Sequence, residues 1–115
     1  MLFISVDDFY SKVSAIPAMN RQEEIECAAQ MKAGNALARE RLIQGYLPMV
    51  AACIKRAPAH VQSLGLIMSC LQMLEKAVDS FDFLQDSESF SHRLNWVLRQ
   101  TVVKYMVNLE VFLRP

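Results

Sequence analysis

The sequence predicts an all-α protein, a compact helical bundle of about five to six helices, and three observations carry that expectation. No segment alternates convincingly between apolar and polar residues, whereas apolar residues recur at helical spacing, as in the stripe Ala38, Leu42 and Ile43. Short polar residues stand where those periodic blocks begin. Three Gly and four Pro in 115 residues supply too little turn chemistry for an all-β sandwich. The length fits a single domain over residues 1–115, with one modest core.

The elements follow from local chemistry. Val6 to Val13 reads as a short amphipathic helix, closed by Ala15-Ile16-Pro17. Asn20 and Glu23 have capping-box spacing, so a helix starts there, runs through Ile25, Ala28, Ala29 and Met31, and stops at Gly34. Asn35 caps the next helix. Gly45-Tyr46-Leu47-Pro48 predicts a break, with Pro48 in the first turn of a third helix, where its missing amide costs nothing. That helix carries Val50, Ile54, Lys55 and Arg56 and ends near Pro58. Ala57 to Gln62 is a loop, and Ser63 caps a long apolar helix from Leu64 to about Phe81. After an acidic loop, Leu84 to Ser89, the last helix spans Phe90 to Leu113.

Twelve basic and twelve acidic residues cancel, so bulk charge gives no reason to bind nucleic acid. The distribution is uneven, however. Asp79 to Phe90 holds four acids and no base, and Ser91 to Pro115 holds Arg93, Arg99, Lys104 and Arg114 against Glu110 alone. The longest apolar run, Leu47 to Ile54, is far below the roughly 20 residues of a membrane helix. The N-terminus has no basic leader, and Cys27, Cys53 and Cys70 form no CxxC pair, so reduced thiols and a cytoplasmic protein are expected.

No catalytic constellation stands out, and neither enzyme activity nor a cofactor is expected. His60 and His92 lack metal-ligand spacing. Gly34-Asn35 is followed by no phosphate-loop lysine, and Asp79 and Asp82 sit where helix-end charges belong. Cys53 has Lys55 and Arg56 close by in sequence, which favours a lowered thiol pKa, but a buried structural cysteine is the commoner case.

Four segments, in order and nearly without gaps, resemble a known family. They are NRQEEIECAAQMKAGNALARERLI (Asn20 to Ile43), YLPMVAACIKR (Tyr46 to Arg56), LEKAVDSFDF (Leu74 to Phe83) and FSHRLNWVLRQTV (Phe90 to Val102). Together they are similar to the core of bacterial RNA polymerase sigma factors of the sigma-70 type. Residues 7–34 resemble the end of region 1.2, residues 35–106 resemble region 2, and 107–115 finish the last helix.

The resemblance implies transcription initiation with RNA polymerase core and promoter DNA as partners. The helix Leu64 to Phe81 would dock on a coiled coil of the polymerase largest subunit, through Gly65, Met68, Ser69, Leu71, Gln72 and Glu75. The helix from Phe90 would read partly single-stranded −10 DNA through Phe90, Arg93, Trp96, Arg99, Gln100 and Lys104. Aromatic groups there would stack on unpaired bases. Arg93, Trp96, Gln100 and Lys104 share one helical face. By residue type alone, Trp96 suits a core position as well as a surface platform.

Departures from the family pattern support a second expectation. Arg93 stands at the position of a stacking Tyr, Val97 at that of a second Trp, and Leu84-Gln85-Asp86-Ser87-Glu88 replaces a basic loop. In the docking helix, Gly65-Leu66-Ile67-Met68-Ser69-Cys70-Leu71 replaces a polar string, and Met68, Cys70, Leu71 and Met73 would leave an apolar surface. Nothing in the 115 residues resembles the helix-turn-helix that reads the −35 element. The alternative is therefore a sigma-like scaffold used for protein association, as a homodimer through the Met68–Met73 surface or as a regulator of another sigma factor.

Overall fold

Each helix starts where a short polar side chain takes an otherwise unpaired amide of the first turn. The computed structural model describes residues 3–83 and 89–113. It contains α1 (Val6–Ser14), α2 (Arg21–Lys32), α3 (Ala36–Lys55), α4 (Leu64–Ser80) and α5 (Phe90–Leu113), with one 3-10 turn at Ala59–Val61. There is no strand among the described residues. Ser5 Oγ accepts from the Asp8 amide at 3.0 Å, Asn20 Oδ1 from Glu23 at 2.8 Å, and Ser63 Oγ from Leu66 at 3.1 Å. Asn35 Oδ1 accepts from both Leu37 and Ala38.

The capping box at Asn20 is half formed. Asn20 caps as expected, but the Glu23 carboxylate crosses to α3 and accepts from Arg41 Nη2 at 3.1 Å. Between α2 and α3 the chain reverses at Gly34, whose φ of 97° is easy only for glycine. The Asn35 amide donates to the Gln30 carbonyl and the Gly34 amide to that of Met31, which closes the α2 end as a Schellman motif.

One expected boundary is absent. The break at Gly45–Pro48 does not occur, and α3 runs through Pro48 as one 20-residue helix. An interior proline removes the bond to the carbonyl four residues back, that of Gln44, and costs about 3 kcal/mol. Gln44 is exposed, so water can serve its carbonyl. Leu42, Ile43, Tyr46 and Leu47 before the proline and Val50, Ala51 and Ile54 after it are all buried in one core. At roughly 1.5–3 kcal/mol for each large side chain, keeping both halves in register outweighs the proline.

α3 is the centre of the bundle and packs against α1, α2, α4 and α5. Phe9 and Val13 of α1, Leu66, Ile67, Leu74 and Val78 of α4, and Leu94 and Leu98 of α5 fill the core around it. An Arg39–Asp79 ion pair, with nitrogen–oxygen distances of 2.7 and 2.9 Å, ties the start of α3 to the end of α4. The guanidinium holds the Asp79 carboxyl below the ordinary aspartate range. The acidic segment 84–88 lies outside the described residues.

Pro48→Ala restores an amide opposite Gln44 at the cost of a freer unfolded chain and a smaller half-buried side chain. The balance is a stabilisation of about 1 kcal/mol, read as a higher denaturant midpoint with unchanged slope.

Candidate nucleic-acid and partner interface

Two helix faces and the groove between them hold most of the residues singled out from sequence. On α4 the buried side is Leu66, Ile67, Cys70, Leu74, Ala77 and Val78. Met68, Gln72 and Glu75 point the opposite way and are exposed, with Ser69 half-buried beside them, and Gly65 is exposed in the first turn. On α5, Leu94, Leu98 and Val102 face the core, and exposed Arg93, Trp96, Gln100 and Lys104 face away from it. The shared face expected for these four is therefore a solvent face, and Trp96, at 63% exposure, is a surface residue.

The groove between the two helices, about 370 Å³, brings the two sets together. Ser69, Gln72 and Met73 form its α4 wall, and Trp96, Gln100 and Lys104 are on its α5 wall. Its floor is set by Tyr105, whose hydroxyl hydrogen-bonds Ser63 Oγ at 2.9 Å. That hydroxyl also explains Gly65, since a Cβ there would lie 2.7 Å from it. Gly65 lets α5 approach α4, a packing role that its place in the docking set did not anticipate.

The structure removes Phe90 from the surface set. At 1% exposure it stands inside the core, edge-on to Tyr46 and Phe81 with centroids 4.7 and 5.2 Å away, and 4.8 Å from Phe83. A ring so enclosed cannot stack on a base. Its neighbour Tyr46 is pushed up in pKa by burial, with the Glu24 carboxylate alongside acting the same way. Arg93 lies with its guanidinium carbon 5.5 Å from the centre of the Phe81 ring, so the aromatic cluster also seats a cation at its rim. Arg99 is exposed on the flank of α5.

The expected apolar surface on α4 is smaller than its sequence implies. Met68 is 51% exposed, but Cys70 is fully buried, and Leu71 and Met73 are half-buried, with Leu71 packed on the core. Cys53 is likewise a core residue. Burial pushes its thiol up, outweighing Arg56 and Arg99, and Cys70 is pushed up to about 12. Neighbouring cations do not activate Cys53, because desolvation of the thiolate dominates.

Three residues of α5 were missed. Val103, Val107 and Val111 are exposed at i, i+4 and i+8, on the same outward side as Trp96 and Gln100. Their spacing was visible in the sequence, but a helix already given one apolar side for the core hid the second.

No family model matches the chain. Among curated proteins it is 30% identical, over 106 residues, to the RNA polymerase sigma factor SigA of Clostridium acetobutylicum. The match takes in 88% of this chain and 28% of that protein, so the chain spans under a third of this relative's length. Over those 106 residues the chain is similar to a sigma factor. Among the described residues, no helix is long and apolar enough to cross a membrane.

Two outcomes check these placements. Phe90→Ala should lower stability by about 3–5 kcal/mol, the cost of removing a fully buried ring, measured by denaturant unfolding. In the native fold a thiol-titrating disulfide reagent should modify half-buried Cys27 alone, with Cys53 and Cys70 reacting only on unfolding, and Cys27→Ser should abolish the fast phase.

Proposed function

We propose that this chain is a sigma region 2-like protein of transcription initiation. The outward face of α5 binds unpaired promoter DNA of the −10 type, and the outward face of α4 binds the coiled coil of the polymerase largest subunit. The work of such a protein is done in the cytoplasm. The observation that carries the reading is the exposed indole of Trp96, beside Gln100 and Lys104, in a chain similar to a sigma factor over most of its length.

Each group has a role its chemistry suits. Trp96 offers a flat platform for an unstacked base, a contact worth about 1–3 kcal/mol. Gln100, one turn on, has the donor and acceptor pair that meets a base edge. Arg93, Arg99 and Lys104 supply positive charge for the backbone, although the chain as a whole is neutral. Three such contacts give a salt slope of only about 2 on single strands, so binding is modest and local.

A second reading, a sigma-like scaffold turned to protein association, draws on Met68 and on the valines of α5. DNA binding separates the two. Trp96→Ala should leave helix content and unfolding midpoint unchanged and weaken binding to a single-stranded −10-type oligonucleotide about 5- to 150-fold by fluorescence anisotropy. Equal binding by mutant and parent would remove Trp96 from the DNA face.

A further inference from the structure

We infer that the outward face of α5 is a self-association seam, on which a second copy of this chain docks antiparallel. A surface helix ordinarily has one apolar side, and α5 has two. Its inner side is Leu94, Leu98 and Val102 in the core. Its outer side carries Trp96, Val103, Val107 and Val111, which with Gln100 recur at spacings of four, three, four and four, close to the alternation of a helix–helix seam. The exposures are 63%, 55%, 52% and 59%, so more than half of each of these residues is open to solvent.

The occupant follows from self-complementarity and area. A two-fold axis near Tyr105 sets Val103 against Val107 of the second copy and Val107 against its Val103. It leaves each indole of Trp96 near Val111 of the second copy. The same register brings Arg99 alongside Glu110 of the second copy, so the unlike charges of this flank meet. The two Lys104 groups share the other flank and repel, which keeps the pairing weak. The seam removes roughly 400 Å² of apolar surface per copy, and with its polar flanks the interface comes to about 1,000 Å² in total, the lower limit for a specific contact. A dimer with a dissociation constant in the micromolar range is expected. α4 is the poorer seam, because Met68 is its only strongly exposed large apolar residue beyond its first turn. The dimer stands on this geometry and does not need the DNA reading.

Sedimentation velocity of the whole chain from about 5 to about 500 µM tests the inference. The weight-average coefficient should rise toward that of a dimer, and emission of the single tryptophan should shift to the blue over the same range. Val107→Glu should weaken association at least tenfold with helix content retained, while Met68→Glu should associate like the parent. If Val107→Glu loses helix content, Val103→Gln provides the same test at the facing position. A parent that stays monomeric throughout overturns the inference. So does association that Met68→Glu abolishes and the α5 substitutions leave intact.

Discussion

The bundle is organised by α3, and α3 exists as one helix only because burial on both sides of Pro48 holds its two halves together. Had the chain broken there, Leu42, Tyr46 and Leu47 would have been free to rotate away from Val50 and Ile54, and the other four helices would have lost their common surface. The proline is thus tolerated by the core and not by the helix. The cost is fixed at the backbone, whereas the compensation is spread over many side chains contributed by other elements. That is why the continuity of α3 depends on the rest of the fold being in place.

The second constraint is the aromatic cluster of Tyr46, Phe81, Phe83 and Phe90. It joins the middle of α3 and the end of α4 to the first residue of α5. Because Phe90 is locked in the core, the phase of α5 is set from its first turn: Leu94 and Leu98 must follow Phe90 inward, and Trp96 and Gln100 must face out. Phe90 therefore matters to the interface without touching it. It decides which residues of α5 are presented, and Gly65 decides how closely they stand to α4.

How much of this was legible in the sequence depends on whether the deciding interaction is local. Asn20, Asn35, Ser63 and Gly34 act within a few residues of themselves, and the helix starts and the turn they imply are those observed. Pro48 was misjudged because its local preference is opposed by distant packing. Cys53 is the buried structural cysteine expected in spite of its neighbours: Lys55 and Arg56 are visible in the chain, while the desolvation that outweighs nearby cations is visible only in the fold. The shared face of Arg93, Trp96, Gln100 and Lys104 was legible from periodicity, but whether that face met core or solvent was not, and the structure settles it as solvent. Phe90 shows the limit of transfer by resemblance, since a matched position conveys residue type and not exposure.

The proposed binding of a DNA strand and the proposed binding of a second copy would draw on the same groups, and that overlap would have a thermodynamic consequence. Trp96 and Gln100 cannot face a base and a neighbouring α5 at once, so each proposed partner would reduce the apparent affinity for the other by the fraction of face it occupies. The two differ in what drives them. DNA binding would rely on three cations of a neutral chain and weaken with salt, whereas the proposed seam would rely on valine and tryptophan area, which salt does not screen. At high protein concentration and high salt the apolar partner would hold the face, and at low concentration and low salt the strand would. The valines that make the face unlike an ordinary polar, phosphate-gripping surface are thus what would couple its availability to the amount of protein present.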